Sequence, residues 1–229
     1  DSTGRFVKAA LAGKSSTVSA AQADWNARIR AVSPASVDAP FVSNHDMARA
    51  RGMLRSKVPN EKAAALLYLL MPGVPTVYYG EELGMSGSGS DENKRLPMVW
   101  SSDAATQCKA PAAADQAQRL TDGVAEQDSD PDSLLNWYRQ LIALRNLAPE
   151  LTRGEMTALD GGNDAICAYT VTDAGSTVAI ISNVSQKDTL TVSLDVLRGA
   201  KLLGGIGGAA FADGTANLPP LSGIIVRLP

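Results

Sequence analysis

Two apolar runs on either side of a helix-forming segment constrain this chain more than any other feature. Phe41-Val42-Ser43-Asn44-His45-Asp46 ends on adjacent polar groups, and its histidine is the single one in 229 residues. Val74-Pro75-Thr76-Val77-Tyr78-Tyr79-Gly80 ends on Glu81 and Glu82. Between them, Glu61 to Met71 is dominated by alanine and leucine, which favour helix strongly. Strand, helix, strand at this spacing predicts a βαβ unit, with parallel strands over 41–44 and 75–80. The helix is expected to stop at Met71-Pro72-Gly73, where proline breaks the hydrogen-bond ladder and glycine eases the turn. In parallel α/β barrels, polar groups at the C-terminal ends of strands carry the chemistry.

Composition bounds the alternatives. A length of 229 suits one large domain or two ordinary ones, and 45% hydrophobic residues are ample for a core. The formal net charge of −3, without a basic cluster, argues against a nucleic-acid or anionic-membrane partner. No apolar run reaches the roughly 18–20 residues of a membrane span. Lys8 and Lys14 interrupt the first segment, so it does not read as a signal peptide. Cys108 and Cys167 are far apart in sequence, and whether they pair is open. One histidine and two dispersed cysteines give a zinc site poor prospects.

Residues 19–32 read as an amphipathic helix, with Ser19 and Gln22 at capping-box spacing and Trp25, Ile29 and Val32 on one face. Pro34 and Pro40 bracket a loop. Ser86-Gly87-Ser88-Gly89-Ser90 is expected to be flexible, and residues 101–129 show no clear period. At Asp130-Pro131-Asp132 aspartate can cap a helix with proline in its first position; that helix then runs through Leu134, Tyr138, Leu141, Ile142 and Leu144. Beyond Leu151 short β-rich runs follow at 165–172, 177–184, 189–197 and 224–228, with a glycine-rich patch at 204–208 among the separators. Such spacing without helices suggests an antiparallel sheet or sandwich. A boundary near 151 divides the chain into domains of 1–150 and 151–229.

Alone, Asn-His-Asp reads equally as a hydrogen-bonded turn or as a site. Arg49 three residues on, Gly52, and a second strand ending in Tyr-Gly-Glu-Glu add to it. Together these resemble the α-amylase family of glycoside hydrolases and transglycosylases, whose fourth signature region is Phe-x-x-Asn-His-Asp at the end of barrel strand seven. The stretch from Pro72 to Met85 resembles the family's eighth strand. Arg95-Leu96-Pro97-Met98-Val99-Trp100 resembles its Arg-x-Pro-Met-x-Trp segment. Val124 to Arg145 is similar to the lead-in and last barrel helix, and the β-rich end to the sandwich that follows the barrel. The implied fold is α/β plus all-β: the C-terminal portion of a (β/α)8 TIM barrel followed by an antiparallel β-sandwich.

The resemblance implies retaining cleavage or transfer on α-glucans such as starch and maltooligosaccharides, through an oxocarbenium-like sugar and two carboxylates about 5 Å apart. It makes Asp46 the third, transition-state-stabilising carboxylate, accepting sugar hydroxyls, with His45 donating to one of them. Asn44 reads as a strand-end residue serving backbone groups. Arg49 either orients Asp46, contacts sugar, or is a solvated surface arginine. Arg95 is a candidate for shaping the cleft, and Trp100 either stacks on a sugar or belongs to the core. Adjacent Glu81 and Glu82 point in different directions and read as structural.

The family's nucleophile and acid belong to strands four and five, and no earlier run here carries them. The chain is therefore expected to be the C-terminal part of a larger enzyme and inactive alone, which fits a first residue other than methionine. Its expected partners are the glucan, the missing N-terminal part of the barrel, and further copies that cover an open barrel edge. The resemblance implies no cofactor in this stretch, since the family's calcium ligands lie outside it. The alternative function is a non-catalytic carbohydrate-binding or structural module.

Overall fold

A computed structural model describes residues 2–103, 108–115 and 122–229. Helices α1 (Ser2–Ala12), α2 (Ser16–Val32), α3 (Ala50–Met53), α4 (Val58–Leu70), α5 (Asp91–Lys94), α6 (Val124–Asp128) and α7 (Leu134–Asn146) precede a short 3-10 turn at Pro149–Thr152. Eight strands then follow: β1 (Glu155–Leu159), β2 (Ile166–Asp173), β3 (Ser176–Asn183), β4 (Leu190–Ser193), β5 (Lys201–Ile206), β6 (Ala210–Ala212), β7 (Thr215–Leu218) and β8 (Ser222–Arg227). The architecture is part of an α/β barrel followed by an antiparallel sandwich.

Helix α4 is the hub of the barrel part. Ala63 to Leu70 are all buried, so this helix is apolar all round and lies in the core. Pro59 sits in its first turn, where its missing N–H is no loss. The Phe6 ring of α1 lies 6.4 Å from that of Tyr68, and the Trp137 indole of α7 donates to Lys62 O. Arg145 of α7 gathers the carbonyls of Leu69, Met71, Gly73 and Leu151, and so satisfies the orphan acceptors at the helix end.

The two runs expected as parallel strands are extended and lie side by side, but they form no regular ladder. Val74 N donates to Asp38 O and Thr76 N to Pro40 O, at 2.8 and 2.9 Å. Donors and acceptors each advance by two residues in the same direction, which is parallel pairing, but it lies at 38–40, before the expected run 41–44, and neither 41–44 nor 75–80 forms a strand. Gly73 makes that approach possible. Its φ is +120°, and a Cβ there would stand 2.3 Å from Asp38 O. Gly73→Ala is therefore expected to break both hydrogen bonds and destabilise the chain by about 2–4 kcal/mol in urea denaturation.

In the sandwich, the five-stranded sheet runs β1-β2-β3-β8-β5 and the three-stranded one β4-β7-β6, with every pairing antiparallel. Alternate residues of the larger sheet serve two cores. Ile166, Ala168, Ala179, Ile181, Ile224 and Val226 face the small sheet, packing on Val192, Ala216 and Leu218. Cys167, Tyr169, Val171, Val178, Ile180 and Ile225 join the core of α1, α4 and α7. The Tyr169 hydroxyl donates to Leu70 O across this junction.

Several expectations are corrected. The face of α2 that is buried carries Val18, Ser19, Gln22 and Asn26, while Trp25 is 43% and Val32 88% exposed. Specific hydrogen bonds override the apolar pattern: Gln22 donates to Asp38 and accepts from Arg5, and Asn26 accepts from Met156 N. The cap of α7 is Ser133, whose hydroxyl accepts from Asn136 N; Asp130 to Asp132 form the turn before it. The segment 86–90 is tied down by Arg49 N on Gly87 O and by Asn93 on Ser88 O. Cys108 is exposed and Cys167 buried, both as free thiols, and burial pushes the latter up to about 12.

Candidate active site

His45 and Asp46 sit in a turn directly after Phe41–Asn44. The Asn44 side-chain oxygen accepts from Asp46 N at 2.9 Å, an Asx turn that swings both following side chains outward. His45 Nε2 stands 3.4 Å from Asp46 Oδ2, and their side chains are 61% and 72% exposed. On the other side, Arg95 Nη2 stands 3.4 Å from Asp46 Oδ1 and Lys94 Nζ donates to Asp46 O at 3.3 Å. Asp91 binds both cations, at 3.1 Å from Lys94 and 3.4 Å from Arg95. An imidazole, two carboxylates and the Arg95 guanidinium thus share one exposed rim, with the Lys94 side chain, 14% exposed, set into it. The pairs of Asp46 with His45 and Arg95 are exposed and contribute little to stability.

Beneath the rim lies a buried polar layer. The Glu81 carboxylate accepts from the Ser43, Tyr68 and Tyr138 hydroxyls at 2.6, 2.8 and 2.9 Å. Desolvation raises its pKa, and the three donors offset that in part. Glu82 is likewise raised by burial, and its Oε2 has no hydrogen-bond partner among the described residues. Glu81 is held by three side chains inside the fold and joins the two parallel runs through Ser43, the residue before Asn44.

The remaining expected site residues fall into different surroundings. Arg95 belongs to the rim and contacts Asp46. Trp100 is 52% exposed and so is not a core residue. Arg49 is neither solvated nor in contact with Asp46: it is 1% exposed, with its guanidinium 4.6 and 4.7 Å from the Tyr78 and Tyr79 ring centroids. Burial lowers its pKa, and the tyrosines oppose that effect. Sequence reasoning did not pick out Lys94, Asp91 or the tyrosine pair around Arg49. The adjacent aromatic residues before Gly80 were the one available signal. Among the described residues, no group of three or more His, Cys, Asp or Glu is placed to hold a metal ion. No described helix is long and apolar enough to cross a membrane.

Parallel extended runs with a polar rim at their ends, joined to an antiparallel sandwich, are the architecture of a partial α/β barrel followed by a sandwich domain. The family profile described as the α-amylase catalytic domain matches residues 7–154. The chain belongs to the α-amylase family. It is 28% identical over 195 residues to Alpha-amylase 3 of Dictyoglomus thermophilum, covering 84% of this chain and 39% of that protein. It is 34% identical over 156 residues to the α-amylase SusG of Bacteroides thetaiotaomicron, covering 64% of this chain and 22% of that protein. The solved structure of Eubacterium rectale Amy13B superposes with a TM-score of 0.88 at 32% identity, over 98% of this chain and 46% of that one. The chain therefore spans less than half the length of these relatives.

Proposed function

We propose that this chain is the C-terminal part of a retaining α-amylase- or α-glucosidase-type enzyme acting on starch, maltodextrins or related oligosaccharides. The observation that carries the reading is the His45–Asp46 pair, exposed and 3.4 Å apart at the end of one of two parallel runs. Asp46 accepts hydrogen bonds from sugar hydroxyls, and His45 donates to one of them. These contacts accelerate the reaction to the extent that they tighten as the ring flattens and positive charge develops. Asp46 also places negative charge beside that cation. Arg95 holds one carboxylate oxygen from the side and borders the cleft, and Trp100 offers an exposed ring face for stacking.

Neither Glu81 nor Glu82 supplies the nucleophile or the acid. Glu81 is 4% exposed and engaged with three hydroxyls, out of reach of a glycosidic oxygen. Those two carboxylates belong to a segment upstream of this one, and the chain by itself does not turn over glucan. It works when joined to that segment or, lacking it, covers the edge of Phe41–Asn44 with another copy. No cofactor is assigned to these residues, and calcium, where the whole enzyme takes it, is assigned elsewhere.

The test is turnover of maltooligosaccharide and starch by this chain alone and by a protein in which it follows a segment bearing an Arg-x-Asp and a later glutamate strand end. Turnover is expected from the second and none from the first. Turnover by the isolated chain, or failure of the joined protein to act on any α-glucan, overturns the proposal.

A further inference from the structure

We infer that Arg49 is a positioning residue, which from inside the fold fixes the 91–95 segment so that Lys94 and Arg95 reach Asp46. The consequence for catalysis rests on the reading of Asp46 given above. The coupling itself is a property of this chain.

A fully buried guanidinium demands compensation, and the usual one is a carboxylate. No carboxylate lies within ion-pair distance of Arg49 among the described residues; Glu82 attracts it from further off, and its Nη2 is buried without a hydrogen-bond partner. Its Nε donates instead to Lys94 O at 2.9 Å and its Nη1 to Tyr79 O at 2.6 Å. Its own backbone N–H donates to Gly87 O at 2.9 Å. The Lys94 carbonyl is gripped a second time by the Tyr78 hydroxyl at 3.1 Å. The cation lies against both tyrosine rings, which replace part of its lost hydration.

The pattern of these contacts matters more than their number. The guanidinium joins the end of the second parallel run, at Tyr79, to the residue just before Arg95. Lys94 and Arg95 are the two cations that contact Asp46, and Asp46 is three residues before Arg49 in the chain. A closed circuit results: Asp46, Arg95 and Lys94, the Lys94 carbonyl, Arg49, and back along the backbone to Asp46. The packing around the side chain leaves no slack. A Cβ on Gly80 would stand 2.2 Å from the Met85 sulfur and 3.3 Å from Arg49 Nη1, and one on Gly87 would stand 2.1 Å from Asn93 O and 3.2 Å from Arg49 Cδ. Lysine cannot substitute, because a single ammonium lacks the planar fork that reaches two carbonyls while stacked on rings.

The single histidine makes this testable in the intact chain. His45 gives one pair of imidazole proton NMR signals, 3.4 Å from Asp46 and hence sensitive to where Arg95 sits. Arg49→Met and Arg95→Met are expected to move those signals in the same direction. The double variant is expected to move them no further than the larger single change, since both substitutions break one circuit. Arg49→Lys should behave as Arg49→Met. Methyl signals of Leu66, Leu67 and Leu70 in the core of the barrel part, unchanged, show that the fold persists there. Unmoved His45 signals in Arg49→Met, or two displacements that add, overturn the inference. Should Arg49→Met fail to fold, Tyr78→Phe decides: it keeps the ring and deletes one grip on Lys94 O. A partial displacement in the same direction is expected, and none overturns the inference. Titration with maltotriose of the protein that joins this chain to the upstream segment separates the two readings. If the circuit behaves as expected and the sugar leaves His45 untouched, the positioning role stands and the glucan site falls.

Discussion

Asp46→Asn, made in a protein that joins this chain to the upstream barrel segment, is expected to lower kcat about 10³-fold with KM and melting temperature little changed. The magnitude corresponds to about 4 kcal/mol of lost transition-state stabilisation. The substitution keeps the shape and removes the charge, so ground-state hydrogen bonds to sugar hydroxyls survive in part. What disappears is the attraction that grows as the sugar becomes cationic, and that growth is felt in kcat. Stability should hold because the side chain is 72% exposed and its partners Arg95 and His45 are also open to solvent. Steady-state kinetics with a maltooligosaccharide, beside a thermal melt, gives both quantities. A drop in kcat/KM carried wholly by KM would make Asp46 a binding group without a special role in the transition state.

The sequence exposed the rim because its information is local. Asn44, His45 and Asp46 are consecutive, and the residue types at the end of an apolar run suffice to suggest a site. The helix over 58–70 was equally legible, since an alanine-leucine run has one favourable conformation. Contacts distant in sequence were not legible. Arg49 could be read as solvated because nothing near it announces burial; its partners lie 30 and 45 residues away. The apolar spacing does not reveal the inward face of α2, because Gln22 and Asn26 bury polar groups against Asp38, Arg5 and Met156, none of them neighbours in sequence. The glycine-rich stretch at 204–208 reads as a separator, yet β5 extends to Ile206. Gly204 packs under the adjoining helix end, where a Cβ would stand 2.9 Å from the Leu144 Cδ1 and 3.0 Å from the Leu147 Cδ1, a matter of packing and not of strand propensity. Strands β1, β6 and β7 leave no clear signal in the sequence for a related reason. They are short and partly exposed, and their pairing partners, not their composition, make them strands.

Glu81→Ala is expected to destabilise the chain by about 3–5 kcal/mol, with Glu81→Gln costing about 1–2 kcal/mol. Alanine removes both oxygens, so the Ser43, Tyr68 and Tyr138 hydroxyls lose their acceptor in a place water does not reach, and a side-chain-sized void remains. Glutamine keeps one oxygen and the volume, and its amide can donate to a hydroxyl oxygen. The two variants also separate charge from hydrogen bonding through pH. Burial raises the Glu81 pKa above its ordinary 4.5, so the native state holds this proton more tightly than the unfolded chain does. The resulting contribution to stability is complete below about pH 4.5 and is lost as pH rises through the native-state value. Glutamine does not titrate. The stability of wild type relative to Glu81→Gln should therefore fall as pH is raised from 4.5, and urea midpoints measured at steps up to pH 8 would show it. A flat difference would mean that the three hydroxyls compensate desolvation completely. Loss of less than about 1 kcal/mol in Glu81→Ala would mean that they find other acceptors. In that case Ser43 would not tie the residue before Asn44 to the second run, and the rim would owe its placement to the Arg49 circuit above it.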